Sequence, residues 1–353
     1  MSVTLVSRGV SSGLRRSKNR LSSVGWNFDK LLGSLIASFR ATRQDTTDCL
    51  DTLYKCVPGK YGLVAENFTE YQKKRRNSAT FRSLSDPFNI RRFNFLKISH
   101  SDILMRLTNE SSESDSVSRS LIIKSGNTKR LQAVLVPHVD KCWPQALNEK
   151  ALNLAVETLL LSSSRQFFVT FNSPLAYCSV NHLHFGLCYI PYVSKLISSP
   201  LRHAFADVFV LENWILPGFV VQLRNRDLTS LVKNLLKITR YLTTSETPHN
   251  LVLCRAPPLP DHTGGDNTPS ATGVLSVTAY VFPRNPVSPR SPLTKIRTAA
   301  MDICGLIAVY SSPLFQDLSE AKLIRCFIDL AYLPDGVFDK ILKGLKSEFE
   351  TDK

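Results

Sequence analysis

The sequence predicts an α+β fold, and three observations carry that prediction. Apolar runs with strand period and with helix period are interleaved, without the strict alternation of a doubly wound sheet. Hydrophobic residues fill 43% of the 353 positions and charged residues 21%, ordinary proportions for a chain that packs a core. Stretches rich in Pro, Gly and Ser at 256–272 and 285–292 read as loops that cut the C-terminal half into short elements.

Residues 1–28 read as a basic, flexible segment. Arg8, Arg15, Arg16, Lys18 and Arg20 occur there with no acid before Asp29, among many serines, a composition shared with mitochondrial transit peptides. From Asp29, the spacing of Leu31, Leu32, Leu35, Ile36 and Phe39 predicts a helix, and Pro58-Gly59 closes that region. The basic run Lys73-Lys74-Arg75-Arg76 precedes Phe93-Asn94-Phe95. Short apolar runs at 103–107, 119–123 and 133–136 read as strands, with a polar loop at 109–118. An amphipathic helix is expected at 146–161, with Leu147, Ala151, Leu154 and Ala155 on one face. Two strands joined by a turn follow, at 167–171 and 179–190. The second half offers strands around 208–222, a helix over 227–243, strands at 251–254 and 274–282, and three helical segments to the end. The organisation expected is a half at 29–200 and a second half at 201–353.

A net charge of +15 and an isoelectric point near 9.5 suit an anionic ligand: a nucleotide, phosphate, nucleic acid or acidic surface. No RRM or KH pattern appears, so nucleic acid is not expected as the partner. The most apolar stretch, 205–223, is interrupted by Asp207, Glu212 and Gln222, so a membrane span is not expected either. The eight cysteines, from Cys49 to Cys326, form no Cys-x-x-Cys pair and follow no secretory signal. Reduced thiols in an intracellular, cytoplasmic protein are the expectation, with mitochondrial targeting by the basic segment still open. The oligomeric state is not legible.

The chemistry-bearing feature is His182-Leu183-His184 inside an apolar run. On a strand, His182, His184 and Gly186 share one face, while Leu183, Phe185 and Leu187 face the core. Such a pair can be part of a metal site, a nucleophile with its neighbour, or a hydrogen-bonded structural pair. A metal needs a third ligand, for which His249 or Cys188 is available but no spacing demands either; no metal is expected.

Asn172-Ser173 followed by Ser179-Val180-Asn181-His182-Leu183-His184 resembles the signature of the GDP-hexose phosphorylases, a branch of the histidine-triad superfamily. The resemblance runs through most of the chain after Asp29. It takes in Gly62-Leu63-Val64-Ala65, Arg75-Arg76, Phe93 to Lys97, Val134 to Pro137, Asp227 to Leu242, His249-Asn250-Leu251 and Arg255 to Pro258. It implies two histidine-triad-like halves with mainly antiparallel sheet and packed helices. It also implies phosphorolysis of GDP-D-glucose with inorganic phosphate, without an organic cofactor. In that chemistry His184 would attack the α-phosphorus, and His182 would orient the strand and the tautomer of the nucleophile. Ser179 and Asn172, with Ser173 and Asn181 beside them, would bond phosphate or ribose oxygens. Arg75, Arg76, Lys97 and Arg284 would supply positive charge for the phosphates. Asn94 is a candidate for the site or for a strand cap, and His249 a candidate for the second half of the pocket.

The chain departs from the family pattern near that strand. Gly186 stands where relatives carry His or Gln. Pro174-Leu175-Ala176 replaces a Leu-Gly-Gly loop, and Leu131-Gln132 replaces a Gly-His. Lys124 replaces an Asn, and Asp302-Ile303-Cys304-Gly305-Leu306 stands for a Glu-x-x-Gly-His element. Two functional expectations follow: a GDP-D-glucose phosphorylase, or a nucleotide-binding relative that kept the fold and lost turnover.

Overall fold

In the run Phe167–Asn172, Phe167, Val169 and Phe171 alternate with Phe168, Thr170 and Asn172, and only Asn172 is less than fully buried. A strand covered on both faces belongs in the middle of a layered structure. The structure is a computed structural model and describes residues 2–5, 13–14, 28–36, 54–69, 79–108, 119–124, 132–259, 275–287 and 295–351. The basic run at 73–76, the polar loop at 109–118 and the five N-terminal basic residues lie outside the described residues.

In chain order the N-terminal elements are β1 (Ser2–Leu5), β2 (Gly13–Leu14), α1 (28–36), β3 (Tyr54–Val57) and β4 (Leu63–Asn67). Next come β5 (Ile103–Thr108), β6 (Ser120–Lys124), β7 (Gln132–Val136), α2 (Glu149–Leu161), β8 (Phe167–Asn172) and β9 (Phe185–Tyr189). The second half holds β10 (Leu201–Phe205), β11 (Val208–Leu211), β12 (Phe219–Gln222), α3 (Leu228–Thr244), β13 (His249–Ala256) and β14 (Ser276–Pro283). It closes with α4 (Ala300–Ile303), β15 (Leu306–Val309), α5 (Ser312–Gln316), α6 (Glu320–Ala331) and α7 (Val337–Glu350).

Among the described residues, twelve strands form one sheet in the order β10-β11-β12-β14-β13-β8-β9-β7-β6-β5-β1-β2, and every neighbouring pair is antiparallel. The two halves join in this sheet through β8 and β13, with Asn172 opposite Asn250. A smaller sheet, β15-β4-β3, pairs β15 with β4 in parallel and β4 with β3 in antiparallel. The expected α+β architecture is what the chain adopts. Residues 2–5 and 13–14, expected within a free tail, add to the sheet edge beside β5.

Two apolar layers sandwich the large sheet. Odd-numbered β8 and β13 residues, Phe167, Val169, Phe171, Leu251 and Leu253, pack with the buried faces of α1, α2, α3 and α7. Even-numbered Phe168, Val252 and Cys254 pack on the other side with β4, β15, α4 and α6. A smaller cluster of Phe95, Ile103, Leu121, Ile123, Val136 and Val139 covers that same side of β5–β7.

Caps set where the helices begin. α2 starts at Glu149 rather than 146, because the Asn148 side chain accepts from the Ala151 N–H. Leu147, ahead of that cap, still packs on the same layer as Leu152, in the manner of a hydrophobic staple. Asp227 caps α3 through the Ser230 N–H. The first helix, α1, begins near Asp29 for a tertiary reason as well. Its carboxylate accepts from Tyr189 Oη (2.6 Å), Ser162 Oγ (2.5 Å) and the N–H and Oγ of Ser163, tying α1 to the end of α2 and to β9. No helix among the described residues is long and apolar enough to cross a membrane.

Candidate active site

The two histidines lie just beyond the sheet ladder. Pairing of β9 ends at Gly186 with β8 and at Phe185 with β7, so the strand expected over 179–190 shortens to Phe185–Tyr189. The alternation nevertheless continues through the unpaired segment. Leu183, Phe185 and Leu187 enter the helix-side layer, whereas the rings of His182 and His184 lie against Phe95 on the other side. The reason for the shortening is local. Trp143 O accepts from Leu183 N at 2.8 Å, and the side chain of Gln145 takes the hydrogen bonds of His184 that a neighbouring strand would otherwise take.

His184 is held in one tautomer. Its Nδ1 lies 2.8 Å from the carbonyl oxygen of His182; a carbonyl can only accept, so Nδ1 carries the proton and Nε2 keeps a lone pair. Burial lowers its pKa to about 4, so the ring is neutral at physiological pH. The orientation expected of His182 comes from its backbone carbonyl rather than its ring. The His182 ring is fully buried, between Phe88 and Phe95, and its Nδ1 accepts from the Phe95 N–H at 3.1 Å. That places the His182 proton on Nε2, which has no hydrogen-bond partner of good geometry. Burial first, and the neighbouring His184 second, lower its pKa to about 4; the Val139 carbonyl favours protonation without offsetting them.

Beside His184 runs a chain of polar side chains, half-buried at Asn172 and buried at Asn250 and Arg284. Asn172 Oδ1 accepts from Asn250 Nδ2 (2.6 Å) and from Ala300 N (3.0 Å) at the start of α4. Asn250 Nδ2 also donates to Ala176 O, and its Oδ1 accepts from Arg284. Thus the Asn172 oxygen, expected to meet phosphate or ribose, instead joins the two halves. Arg284 is fully buried and spends all five donors inside the protein, on Asn285 O, Asn250 Oδ1, Thr298 O, Thr298 Oγ1 and Leu330 O. Its guanidinium also lies 5.0 Å from the Tyr177 ring centre. Burial lowers its pKa to about 10, so it stays charged, but no donor is left for a phosphate.

The remaining expected site residues among those described fall into three groups. Ser173 and His249 staple β8 to β13: Ser173 Oγ accepts from His249 N and donates to Pro174 O, and Ser173 N donates to His249 O. The His249 ring, odd-numbered on β13, lies beside Phe171 on the helix side, so alternation carries it away from the face of His184. Its Nδ1 donates to Thr247 O, and burial lowers its pKa to about 4. Asn94 and Asn181 build the loop that carries Phe88 and Phe95. Asn94 caps a 3-10 turn through Leu96 N and donates to Ile90 O and Arg92 O. Asn181 donates to Asp86 O and Pro87 O and accepts from Gln145 N. Lys97 is exposed and Ser179 half-buried: the ammonium of Lys97 donates to Arg91 O and Arg92 O, and Ser179 O accepts from Ala79 N. Arg75 and Arg76 lie outside the described residues. Among the described residues no group of three or more His, Cys, Asp or Glu is placed to hold a metal ion.

Sequence reasoning passed over Gln145 and Thr170, and met Asn250 only as the motif neighbour of His249. Asn250 was legible as the neighbour of His249 with the opposite parity. Gln145 follows Pro144 in a loop without periodicity and gave no signal.

Gly186 faces the site but has no room for a side chain. A Cβ there would lie 2.7 Å from Thr170 Oγ1, on the strand directly opposite. Gly186→Gln is therefore expected to destabilise the fold by about 1–3 kcal/mol, the usual range for overpacking. Combining it with Thr170→Ala should recover most of that loss in denaturant unfolding. A single variant as stable as the parent would show that the site has space for a glutamine side chain.

Buried His182 and His249 and half-buried His184, all with folded pKa values near 4, set an acid sensitivity. The unfolded chain binds their protons from about pH 6.5, while the folded chain resists until about pH 4. Stability is therefore highest above pH 6.5 and is lost as pH falls through that window, by up to about 1.4 kcal/mol per histidine per pH unit. Thermal denaturation at pH 7, 6 and 5 should show a progressively lower midpoint; a flat profile would contradict the neutral assignments.

Models of the two domains described as "GDPGP1-like, N-terminal domain" and "GDPGP1-like, C-terminal domain" match residues 40–188 and 194–351. A GDP-D-glucose phosphorylase 1 of Caenorhabditis elegans is 35% identical over 300 residues, 82% of this chain and 62% of that protein. A GDP-D-glucose phosphorylase 1 of Danio rerio is 32% identical over 231 residues, 65% of each chain. The chain thus spans a little under two thirds of the length of these two relatives. The yeast Ap4A phosphorylase Apa2 shares the fold at a TM-score of 0.56 and 12% identity, over 88% of this chain and 96% of that one. With both of its halves matched, the chain belongs to the GDPGP1-like family.

Proposed function

We propose that this protein phosphorolyses GDP-D-glucose to GDP and glucose 1-phosphate through a guanylyl intermediate on His184. The observation that supports this most is the state of that ring: neutral, with Nδ1–H held by a carbonyl and a lone pair on Nε2. Nε2 attacks the α-phosphorus, the bond from that phosphorus to the bridging oxygen breaks, and glucose 1-phosphate leaves. An oxygen of inorganic phosphate then attacks the same phosphorus, the P–N bond breaks, and GDP is released. Splitting one displacement into two lets a fixed nucleophile replace a diffusing one. In this reading the half at 29–200 supplies the nucleophile, and the half at 201–353 closes the pocket through Asn250. Exposed Lys97, Arg91 and Arg92, in the loop that also carries Phe95, together with Arg75 and Arg76, offer the positive charge that the phosphates need.

A second reading, a nucleotide-binding relative without turnover, is favoured by two observations. Thr170 fills the space beside Gly186, and Leu175 and Tyr177 hold left-handed conformations in the loop where relatives carry glycines. Incubation with GDP-D-glucose and phosphate, followed by nucleotide chromatography, separates the two. Formation of GDP that depends on phosphate supports phosphorolysis. A thermal shift with GDP and no product supports the binding protein.

A further inference from the structure

We propose that Gln145 is the positioning residue for the nucleophile, acting as a side-chain substitute for the missing strand partner of His184. This rests on the phosphorolysis reading above, since it assigns a task to the ring that carries that reaction. The Gln145 side chain is 1% exposed, and its three hydrogen bonds go to the backbone of His184 and Asn172. Oε1 accepts from His184 N at 3.0 Å, and Nε2 donates to His184 O and to Asn172 O, each at 3.1 Å.

The amide therefore sits between the ends of β8 and β9 at the level where their ladder stops. Both polar groups of the His184 peptide backbone are bound by one side chain, as an adjacent strand would bind them. Its orientation is forced. Turned over, the amide would set its oxygen against two carbonyls and its NH2 group against an N–H. Trp143 O, two residues earlier, holds Leu183 N in the same way, and Asn181 Oδ1 accepts from Gln145 N. The segment 181–184 is thus clamped by 143–145 rather than by the sheet.

The clamp matters for chemistry because of where the nucleophile's proton is held. Nδ1–H of His184 points at the carbonyl of His182, within the same short segment. The backbone torsions of 182–184 therefore fix both the tautomer and the direction of the Nε2 lone pair. Removing the amide frees these torsions and lets β8 and β9 close on one another. Gln145 itself is buried behind the backbone, so it acts through His184.

The test uses the full chain carrying Gln145→Ala and, separately, Gln145→Glu, which keeps the shape but sets a carboxylate against two carbonyls. Turnover of GDP-D-glucose with phosphate should fall about 100-fold in kcat, the scale of a misplacement near 1 Å, with KM within about twofold. Independently of activity, nitrogen NMR of histidine-labelled protein should show His184 as the Nδ1–H tautomer in the parent and as a mixture in both variants. A kcat within twofold of the parent, a loss confined to KM, or an unchanged tautomer overturns the proposal. So does unfolding of both variants, which would make Gln145 a residue of the fold alone. A parent protein without turnover would remove the phosphorolysis reading while leaving the tautomer comparison to decide on Gln145.

Discussion

Replacing His184 with alanine is expected to leave a folded protein whose release of GDP from GDP-D-glucose and phosphate has dropped by at least about 10⁴-fold, the order seen when a nucleophile is removed from a covalent route. The ring is only part-buried, touches Phe95 and makes a single hydrogen bond to a neighbouring carbonyl, so the structural loss is modest. His182→Ala should behave differently. The carbonyl that holds the His184 tautomer stays in place, so some rate survives. The fully buried ring that anchors Phe95 N is lost, so stability falls. The check is turnover and unfolding of both variants side by side. Near-normal phosphorolysis by His184→Ala would sink the mechanism.

Arg284→Met is expected to destabilise the protein by several kcal/mol, because each buried acceptor left without its donor costs about 1–3 kcal/mol. The arginine occupies the acceptors of Asn285, Asn250, Thr298 and Leu330, and an apolar replacement strands them in the interior. Arg284→Lys keeps the charge but offers three donors instead of a planar five, and should recover only part of the loss. Denaturant unfolding with GDP titration on the folded protein distinguishes this from a phosphate role. A stable Arg284→Met protein with weakened GDP binding would return Arg284 to the phosphate site.

Several elements were legible because their pattern is local. α3 follows the apolar spacing that begins beyond its Asp227 cap, and β8 the alternation from Phe167 to Phe171. The parity of Leu183, Phe185 and Leu187 against His182, His184 and Gly186 held even where the ladder did not. Other elements were not legible because they are short or bonded at long range. β15 is four apolar residues that match no period, and it becomes a strand because Leu63–Asn67 lies parallel beside it. Gly186 stood out in the sequence only as a departure from the family pattern, and the position of Thr170 on the facing strand shows what a side chain there would meet.

By itself the sequence determined the class of fold, the face on which His182 and His184 stand, and the family whose motifs surround them. These depend on residue order and on the two-residue repeat of a strand, which every local segment carries. The tertiary structure alone decided which polar residues are available for chemistry. Asn172, Ser173, Asn181 and Arg284 look like phosphate contacts in the sequence, yet each spends hydrogen bonds on holding the fold together. Gln145 looks like an ordinary loop residue, yet both of its amide atoms bond the backbone of the nucleophile. A polar side chain's role is set by the partners that satisfy it, and those partners come from elsewhere in the chain.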